Sequence, residues 1–336
     1  MTTGPDGFDC RRCTRQYLLQ SGIPDFRIFP DPYLNFAEDR ERTEIVLSAL
    51  DRLELHDLLE YYWSFSDVTP VALRPKFIRS ALLGDLKAMA TLRFIEANQL
   101  SKVGKTTRVL EIGCGTGNFL AEAAQKFDTV VGVDIAMRWL HLSRRRFMDR
   151  GLECPPLVCC CAEFLPFPDE TFDLVTASAT LEFVNDQSRV LKESNRVLAR
   201  DGAMHINTAN RYSIAADPYC YLWGVGFLPR RLQAAYVKRR CGAKYDNIKT
   251  MSLGGLMRLG RETFNGVEIT LPRVEPLALK YFSLRARFQA KVYSLAARLT
   301  PAAVVLRRLG PGWNAVLRKA PPGRKLTAVA PLQGVA

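Results

Sequence analysis

The stretch Val109-Leu110-Glu111-Ile112-Gly113-Cys114-Gly115-Thr116-Gly117-Asn118-Phe119 leaves this chain few ways to fold. An apolar run of strand character ends in a glycine-rich turn, and a helix from Leu120 to Lys126 follows. Glycines at 113, 115 and 117 let the backbone turn sharply and let a ligand lie against it without a Cβ clash. The helix start adds free N–H groups facing the same spot. The next β-branched run, Thr129 to Val133, ends at Asp134, 17 residues beyond Gly117. An acid at the tip of a second strand accepts hydrogen bonds from the ribose hydroxyls of an adenosine ligand, as in dinucleotide-binding folds. Those folds use G-x-G-x-x-G; here the third glycine comes one residue early, giving G-x-G-x-G.

From Arg108 onward, short β-branched runs (RVLEI, TVVGV, PLVCC, FDLVTA, AMHINT) alternate with turn or helix signals. That alternation predicts an open, mostly parallel α/β sheet. Before it, apolar residues recur at helical spacing from Ala37 to about Glu60 and from Lys76 to Gln99. The first 35 residues, rich in Pro, Gly, Asp and Cys, read as irregular structure.

Together, the glycine-rich turn and Asp134 resemble class I S-adenosylmethionine-dependent methyltransferases. The segments CAEFLPFPDETFDLVTASATLEFVND (161–186) and RVLKESNRVLARDGAMHINT (189–208) extend the resemblance over Arg108 to Thr208. It implies a Rossmann-like, seven-stranded, mostly parallel sheet of order 3-2-1-4-5-7-6, with an N-terminal helical extension and helical insertions in the last third. The implied organisation is an irregular segment 1–36, N-terminal helices 37–104, a cofactor core 105–208, a substrate cap 209–263, last strands with a basic helical insertion 264–320, and a flexible tail 321–336. The sixth and seventh strands are expected at Val267–Leu271 and Trp313–Arg318.

By the same resemblance, Glu111 orients the loop and the amino-acid end of S-adenosylmethionine. Gly113, Cys114, Gly115 and Gly117 line its methionine and ribose, Asp134 takes the ribose hydroxyls, and Ile135 flanks the adenine. The third-strand tip usually reads Asp-Ala-Glu; here it is Cys161-Ala162-Glu163. A thiol is a weak hydrogen-bond partner, so adenine recognition is expected to rest on the Ala162 amide and packing. Ala177 would sit beside the reacting sulfonium. Glu182 stands where related enzymes carry proton-accepting pairs and is the candidate general base. Asn210, Arg211 and Tyr212, with Trp223, are candidate contacts to the acceptor.

The net charge is +13, and it is uneven: from Phe227 onward 21 Lys and Arg face 4 acids, whereas residues 1–226 sum to −4. Such asymmetry suggests an anionic partner. Leu284, Phe288, Val292, Leu295 and Leu299 form one helical stripe with Arg285, Arg287, Lys291 and Arg298 nearby. A helix like this either packs on its own domain or lies on an anionic membrane. The function read from the sequence is methyl transfer, preferably to oxygen, on a small-molecule, lipid- or glycan-linked acceptor. The alternative is RNA methylation through the basic third. The N-terminus carries no signal-peptide pattern, which points to a cytoplasmic protein with reduced thiols, membrane-associated if the basic helix docks. Finally, Cys10 and Cys13 have the spacing of half a tetrahedral zinc site. They resemble a zinc-ribbon knuckle, which binds zinc with further ligands or stands as a metal-free remnant.

Overall fold

A computed structural model of the protein describes residues 2–4, 7–10, 14–66, 69–100 and 106–319. Its centre is a seven-stranded sheet built from β5 (Arg108–Ile112), β6 (Thr129–Asp134), β7 (Leu157–Cys159), β8 (Phe172–Ser178), β9 (Leu198–Ala209), β10 (Gly266–Thr270) and β11 (Gly312–Arg318). The spatial order is β7-β6-β5-β8-β9-β11-β10. The first five run parallel, and β11 lies antiparallel between β9 and β10. This is the 3-2-1-4-5-7-6 order expected from the sequence. The last two strands fall within one residue of their predicted bounds.

Strands such as β5 are apolar nearly throughout because helices cover both faces of a parallel sheet. On one face α4 (Gly84–Ala97), α5 (Asn118–Ala123) and α6 (Met137–Asp149) pack Leu92, Ile95, Phe119, Leu120, Leu140 and Phe147 against Val109, Leu174 and Val316. On the other, α7 (Gln187–Val197) and α9 (Leu253–Thr263) set Val190, Leu191 and Leu256 against Leu110, Val175 and Met204.

The N-terminal periodic stretches are each broken once. The first gives α1 (Phe36–Leu50), opened by an Asn35–Glu38 capping box, and α2 (Leu55–Ser64). The second gives α3 (Arg74–Leu82) and then α4, separated at Leu83. Val46, Leu58, Leu59, Tyr62 and Trp63 bury together with Leu142 of α6, so these helices extend the core sideways.

The expectation of irregular structure before residue 36 is corrected. That region carries β1 (Thr2–Gly4), β2 (Gly7–Asp9), β3 (Gln16–Gln20) and β4 (Ile23–Pro24), a small antiparallel sheet. Phe26 packs on Phe8 and Tyr17 at ring separations of 5.5 and 5.0 Å, and its N–H donates to the Cys159 carbonyl at 2.7 Å. The sheet is held by contacts distant in sequence, which local periodicity does not register.

After β9 the chain forms a cap with α8 (Arg230–Cys241), and the β10–β11 connection carries α10 (Leu284–Ala296) and α11 (Thr300–Leu309). The latter is the basic insertion anticipated between the last two strands.

His205 lies fully buried in β9, with Nδ1 3.3 Å from Thr176 Oγ1 and Nε2 3.2 Å from Asn314 Oδ1. Burial lowers its pKa to about 4, the Asn314 contact opposing this only partly. The unfolded chain therefore takes the proton first, and this histidine removes stability as pH falls from about 6.5 toward 4. The expected loss between pH 7 and 5 is about 2 kcal/mol, from the pKa difference at roughly 1.4 kcal/mol per unit. Urea unfolding of His205→Gln at both pH values should show a pH dependence smaller by that amount. An unchanged slope would mean the ring is not held neutral.

Candidate functional site

The C-terminal ends of β5, β6, β7 and β8 meet where the strand order reverses, the place at which open α/β sheets bind ligands. At the end of β5 the amides of Gly113 and Cys114 both donate to the Val133 carbonyl (2.8 and 3.0 Å), tying the turn to β6. Gly113, Gly115 and Gly117 all have positive φ, at 71°, 50° and 75°. The last two differ in what surrounds them. A Cβ on Gly117 would meet Ser143 Oγ at 2.1 Å, so this glycine serves packing. A Cβ on Gly115 would meet nothing within 4 Å, because it faces open space.

Asp134 Oδ2 accepts from the Gly115 N–H and Oδ1 from the Ala136 N–H, each at 2.9 Å. Burial raises its pKa, and these two amides pull it back. Each oxygen keeps a lone pair for a further donor. Glu111, also buried, leaves Oε2 without a hydrogen-bond partner. Burial first, and the Asp134 charge second, raise its pKa well above the usual carboxylate range. A buried carboxylate oxygen with no donor is costly unless a partner arrives, and an ammonium group at this place would lower that pKa again.

Two spaces open from these groups. A cavity of about 280 Å³ is lined by Gly113, Gly115, Asp134, Ile135, Cys160, Ala162 and Glu163, with Arg138, Trp139 and Phe183. Beside it lies a cleft of about 2750 Å³ that reaches from Glu111, Gly113, Cys114 and Gly115 to the N-terminal helices and the β10–β11 insertion. Residue 179, an alanine held at φ 52°, borders both. Such a backbone is strained for a residue with a Cβ and recurs at functional sites; nothing in the sequence marks it.

The cavity is roofed by residues absent from the sequence-based list: Phe29, Asp31, Pro32 and Tyr33. Buried ion pairs hold this roof. Arg27 bonds Asp25 (2.7 Å) and Asp39 (2.6 Å) and donates to the Ile135 carbonyl (3.0 Å). Arg138 bonds Asp31 at 2.5 Å, pairs with the other oxygen of Asp39, and donates from Nε to the Tyr62 hydroxyl. Nothing in the local sequence pattern signals this cluster, since its members come from distant segments.

Other expected residues fall elsewhere. The Cys161 thiol, fully buried, does not line the cavity; it donates to the Phe29 carbonyl at 3.6 Å and so anchors the roof. Cys160 and Ala162 face the cavity instead. Glu163 Oε1 accepts from the amides of Asn185 (2.7 Å) and Asp186 (3.2 Å), fixing the loop after β8. Ala177 is buried in β8, in register with Ile112 and Ile206.

Glu182 is also fully buried and lines neither space. Its Oε1 accepts from Thr208 Oγ1 and the Ala209 N–H, both at 2.7 Å. The Tyr219 hydroxyl lies on its other side, and Tyr219 borders the cleft. Asn210 bonds the carbonyls of Arg308 and Gly310, Arg211 those of Gly226 and Leu228. Tyr212 stacks beneath the Arg211 guanidinium, and the Trp223 indole N–H bonds Ile214. Asn210 thus ties the end of β9 to α11, the other three lie within the cap, and none of the four lines either space. The Cys10 N–H donates to the Arg15 carbonyl at 2.9 Å, while Cys13 lies outside the described residues. Among the described residues Cys10 belongs to no group of three metal-ligating atoms.

The fold is an α/β domain with an open glycine-rich turn at the switch point of its sheet, and the sequence comparisons bear on its class. Residues 110–206 match the family described as a methyltransferase domain. A demethylmenaquinone methyltransferase of Anoxybacillus flavithermus is 39% identical over 103 residues, 30% of this chain and 44% of the relative. A ubiquinone/menaquinone biosynthesis C-methyltransferase of Xanthomonas campestris is 38% identical over 133 residues, 37% of this chain and 52% of the relative. The chain thus spans about half the length of the curated relatives it matches. Among solved structures, the Haemonchus contortus phosphoethanolamine N-methyltransferase 2 in complex with S-adenosyl-L-methionine is similar at 16% identity and a TM-score of 0.45, covering 82% of this chain and 60% of that one.

The roof makes a distinct prediction. Removing one partner of a buried ion pair costs about 3–5 kcal/mol, whereas an exposed pair is worth less than about 1 kcal/mol. Asp39→Ala, which removes the acid shared by Arg27 and Arg138 and leaves them only Asp25 and Asp31, should lower unfolding free energy by at least about 3 kcal/mol. Arg93→Ala, which breaks the half-exposed pair with Glu275, should cost under about 1 kcal/mol. Equal effects of the two in urea titration would contradict the clamp.

Proposed function

We propose that this protein is an S-adenosylmethionine-dependent methyltransferase acting on a small apolar acceptor. One arrangement carries the reading: Glu111, with one carboxylate oxygen lacking a donor, borders the cleft, Asp134 borders the smaller cavity, and the open-faced Gly115 borders both, inside the stretch that matches a methyltransferase domain. Glu111 would hold the ammonium of the methionine portion. Gly113, Cys114 and Gly115 would lie along its backbone, with Gly117 and Ala177 supporting the turn from behind. Asp134 would accept the ribose hydroxyls, and Ile135 and Ala162 would flank the adenine. Cys161 and Glu163 would act indirectly, by fixing the roof and the loop after β8.

When bound, S-adenosylmethionine supplies a methyl group already activated by its sulfonium. The chain's task is then alignment and exclusion of water, a proximity effect. Phe183, which borders both spaces, and the cleft residues Phe77, Tyr219 and Tyr221 offer an aromatic wall for a ring-bearing acceptor. The cleft volume leaves room for a long apolar substituent. The similarity to a ubiquinone/menaquinone biosynthesis C-methyltransferase favours a carbon acceptor, here a ring carbon, over the oxygen expected from the sequence. Transfer to such a carbon releases one ring proton. We assign its uptake to Glu182 acting behind Tyr219, since burial raises the Glu182 pKa toward the range useful for a general base.

Two outcomes test this. Incubation with methyl-labelled S-adenosylmethionine and an organic extract of the source cells should label a small apolar product carrying a new carbon–methyl bond by mass spectrometry and NMR. Label confined to RNA, or to an oxygen ether, would overturn the acceptor assignment. Glu182→Gln should lower kcat at least tenfold while leaving the S-adenosylmethionine Kd within about twofold, as expected when only an acid–base step is removed. An unchanged kcat would take Glu182 out of the reaction.

A further inference from the structure

The β10–β11 insertion buries little of its apolar surface. Leu284, Phe288, Leu295 and Leu299 are 83%, 68%, 63% and 54% exposed, and Val304 and Val305 of α11 are each 53% exposed. At about 100° per residue, positions 284, 288, 292 and 295 share an arc of roughly 80° on the side of α10 opposite its one buried residue, Ala290. Soluble proteins scatter single exposed apolar side chains but rarely gather so many into one stripe.

The charges beside the stripe are of one sign. Residues 276–309 contain seven Lys and Arg and no acid. Arg285 flanks the stripe on one edge, and Arg287 and Lys291 flank it on the other; all three are exposed. The inner side of the hairpin is fixed: the Tyr293 hydroxyl bonds the Pro272 carbonyl at 2.8 Å, and Ser294, Ala297 and Arg298 border the large cleft. One face therefore walls the cleft, and the other presents leucines and a phenylalanine inside a cationic rim.

We propose that α10 and α11 dock the protein on an anionic phospholipid bilayer, with the stripe at the headgroup–acyl boundary and the basic rim on the lipid phosphates. The rim selects this occupant: a second copy of the same face would oppose cation to cation, and like charges across an interface are penalised. None of the described helices is long and apolar enough to cross a membrane, so docking is interfacial. The docked face backs directly on the cleft, which gives a bilayer-borne amphiphile a short route to it. That last step rests on the methyltransferase reading; docking does not.

The test is co-sedimentation of the full-length chain with vesicles of phosphatidylcholine plus phosphatidylglycerol, and with phosphatidylcholine alone, at low and high salt. Binding should be at least about tenfold tighter to the anionic vesicles and fall with salt. Replacing Leu284, Phe288 and Leu295 together by serine should weaken it about tenfold or more, through lost apolar area. These positions are exposed, so the far-ultraviolet circular dichroism and the S-adenosylmethionine Kd should be those of the wild type. Undiminished vesicle binding by the triple variant, equal binding to neutral vesicles, or binding of RNA without binding of vesicles would overturn the proposal. Vesicle binding by a protein with no affinity for S-adenosylmethionine would uphold docking and sink the methyltransferase reading instead.

Discussion

A single buried carboxylate organises the ligand end of this molecule. Asp39, in the first turn of α1, is shared by Arg27 before it in the chain and Arg138 of α6. Asp25 and Asp31 join the cluster from the N-terminal segment, so that each guanidinium meets two carboxylates. Burying so many charges is costly unless every one is paired, and the pairing fixes where that segment runs. It must cross the ends of β6 and β7, and in doing so Phe29, Asp31, Pro32 and Tyr33 become the roof of the smaller cavity. The small N-terminal sheet, the α1–α2 pair and the α/β core are thereby joined at the site.

Beneath that roof, electrostatics follow from burial. Asp134 and Glu111 lie close enough to raise each other's cost of ionisation. Asp134 is relieved by the Gly115 and Ala136 amides, while Glu111 keeps one oxygen without a donor. The pair divides the space accordingly. One carboxylate suits neutral hydroxyl donors, which need only its spare lone pairs, and the other suits a cation. A ligand bearing a diol at one end and an ammonium at the other meets both requirements, and Gly115 leaves the path between them open.

Much of this was legible in the sequence because it is written locally. The glycine turn, the strand ending at Asp134 and the alternation of β-branched and helical runs give strand identity and, with the family resemblance, the sheet order. The insertion between the last strands was visible as a basic stretch, although its two destinations, packing or docking, separate only when exposure is known. What was not legible depends on contacts between distant segments. Proline- and glycine-rich residues before position 36 looked irregular, yet Phe26 draws them onto the edge of β7. Cys161 aligned with an adenine-binding acid, but its thiol turns to the Phe29 carbonyl, a contact that a carboxylate at this place would replace with two opposed acceptors. Asn210, Arg211, Tyr212 and Trp223 had the polarity of acceptor contacts, but Asn210 spends it on carbonyls at the end of α11, and Arg211 and Trp223 on the cap's own backbone.

The account turns on the match between this site and an adenosine ligand carrying an ammonium group. Calorimetric titration of the wild-type protein with S-adenosylmethionine, repeated on Asp134→Ala and Glu111→Gln, measures it directly. The account predicts one-to-one binding by the wild type and a loss of at least about 1.5 kcal/mol in each variant, the scale of a hydrogen bond to a charged group. Absence of binding to the folded wild-type protein, or full affinity in both variants, would contradict it.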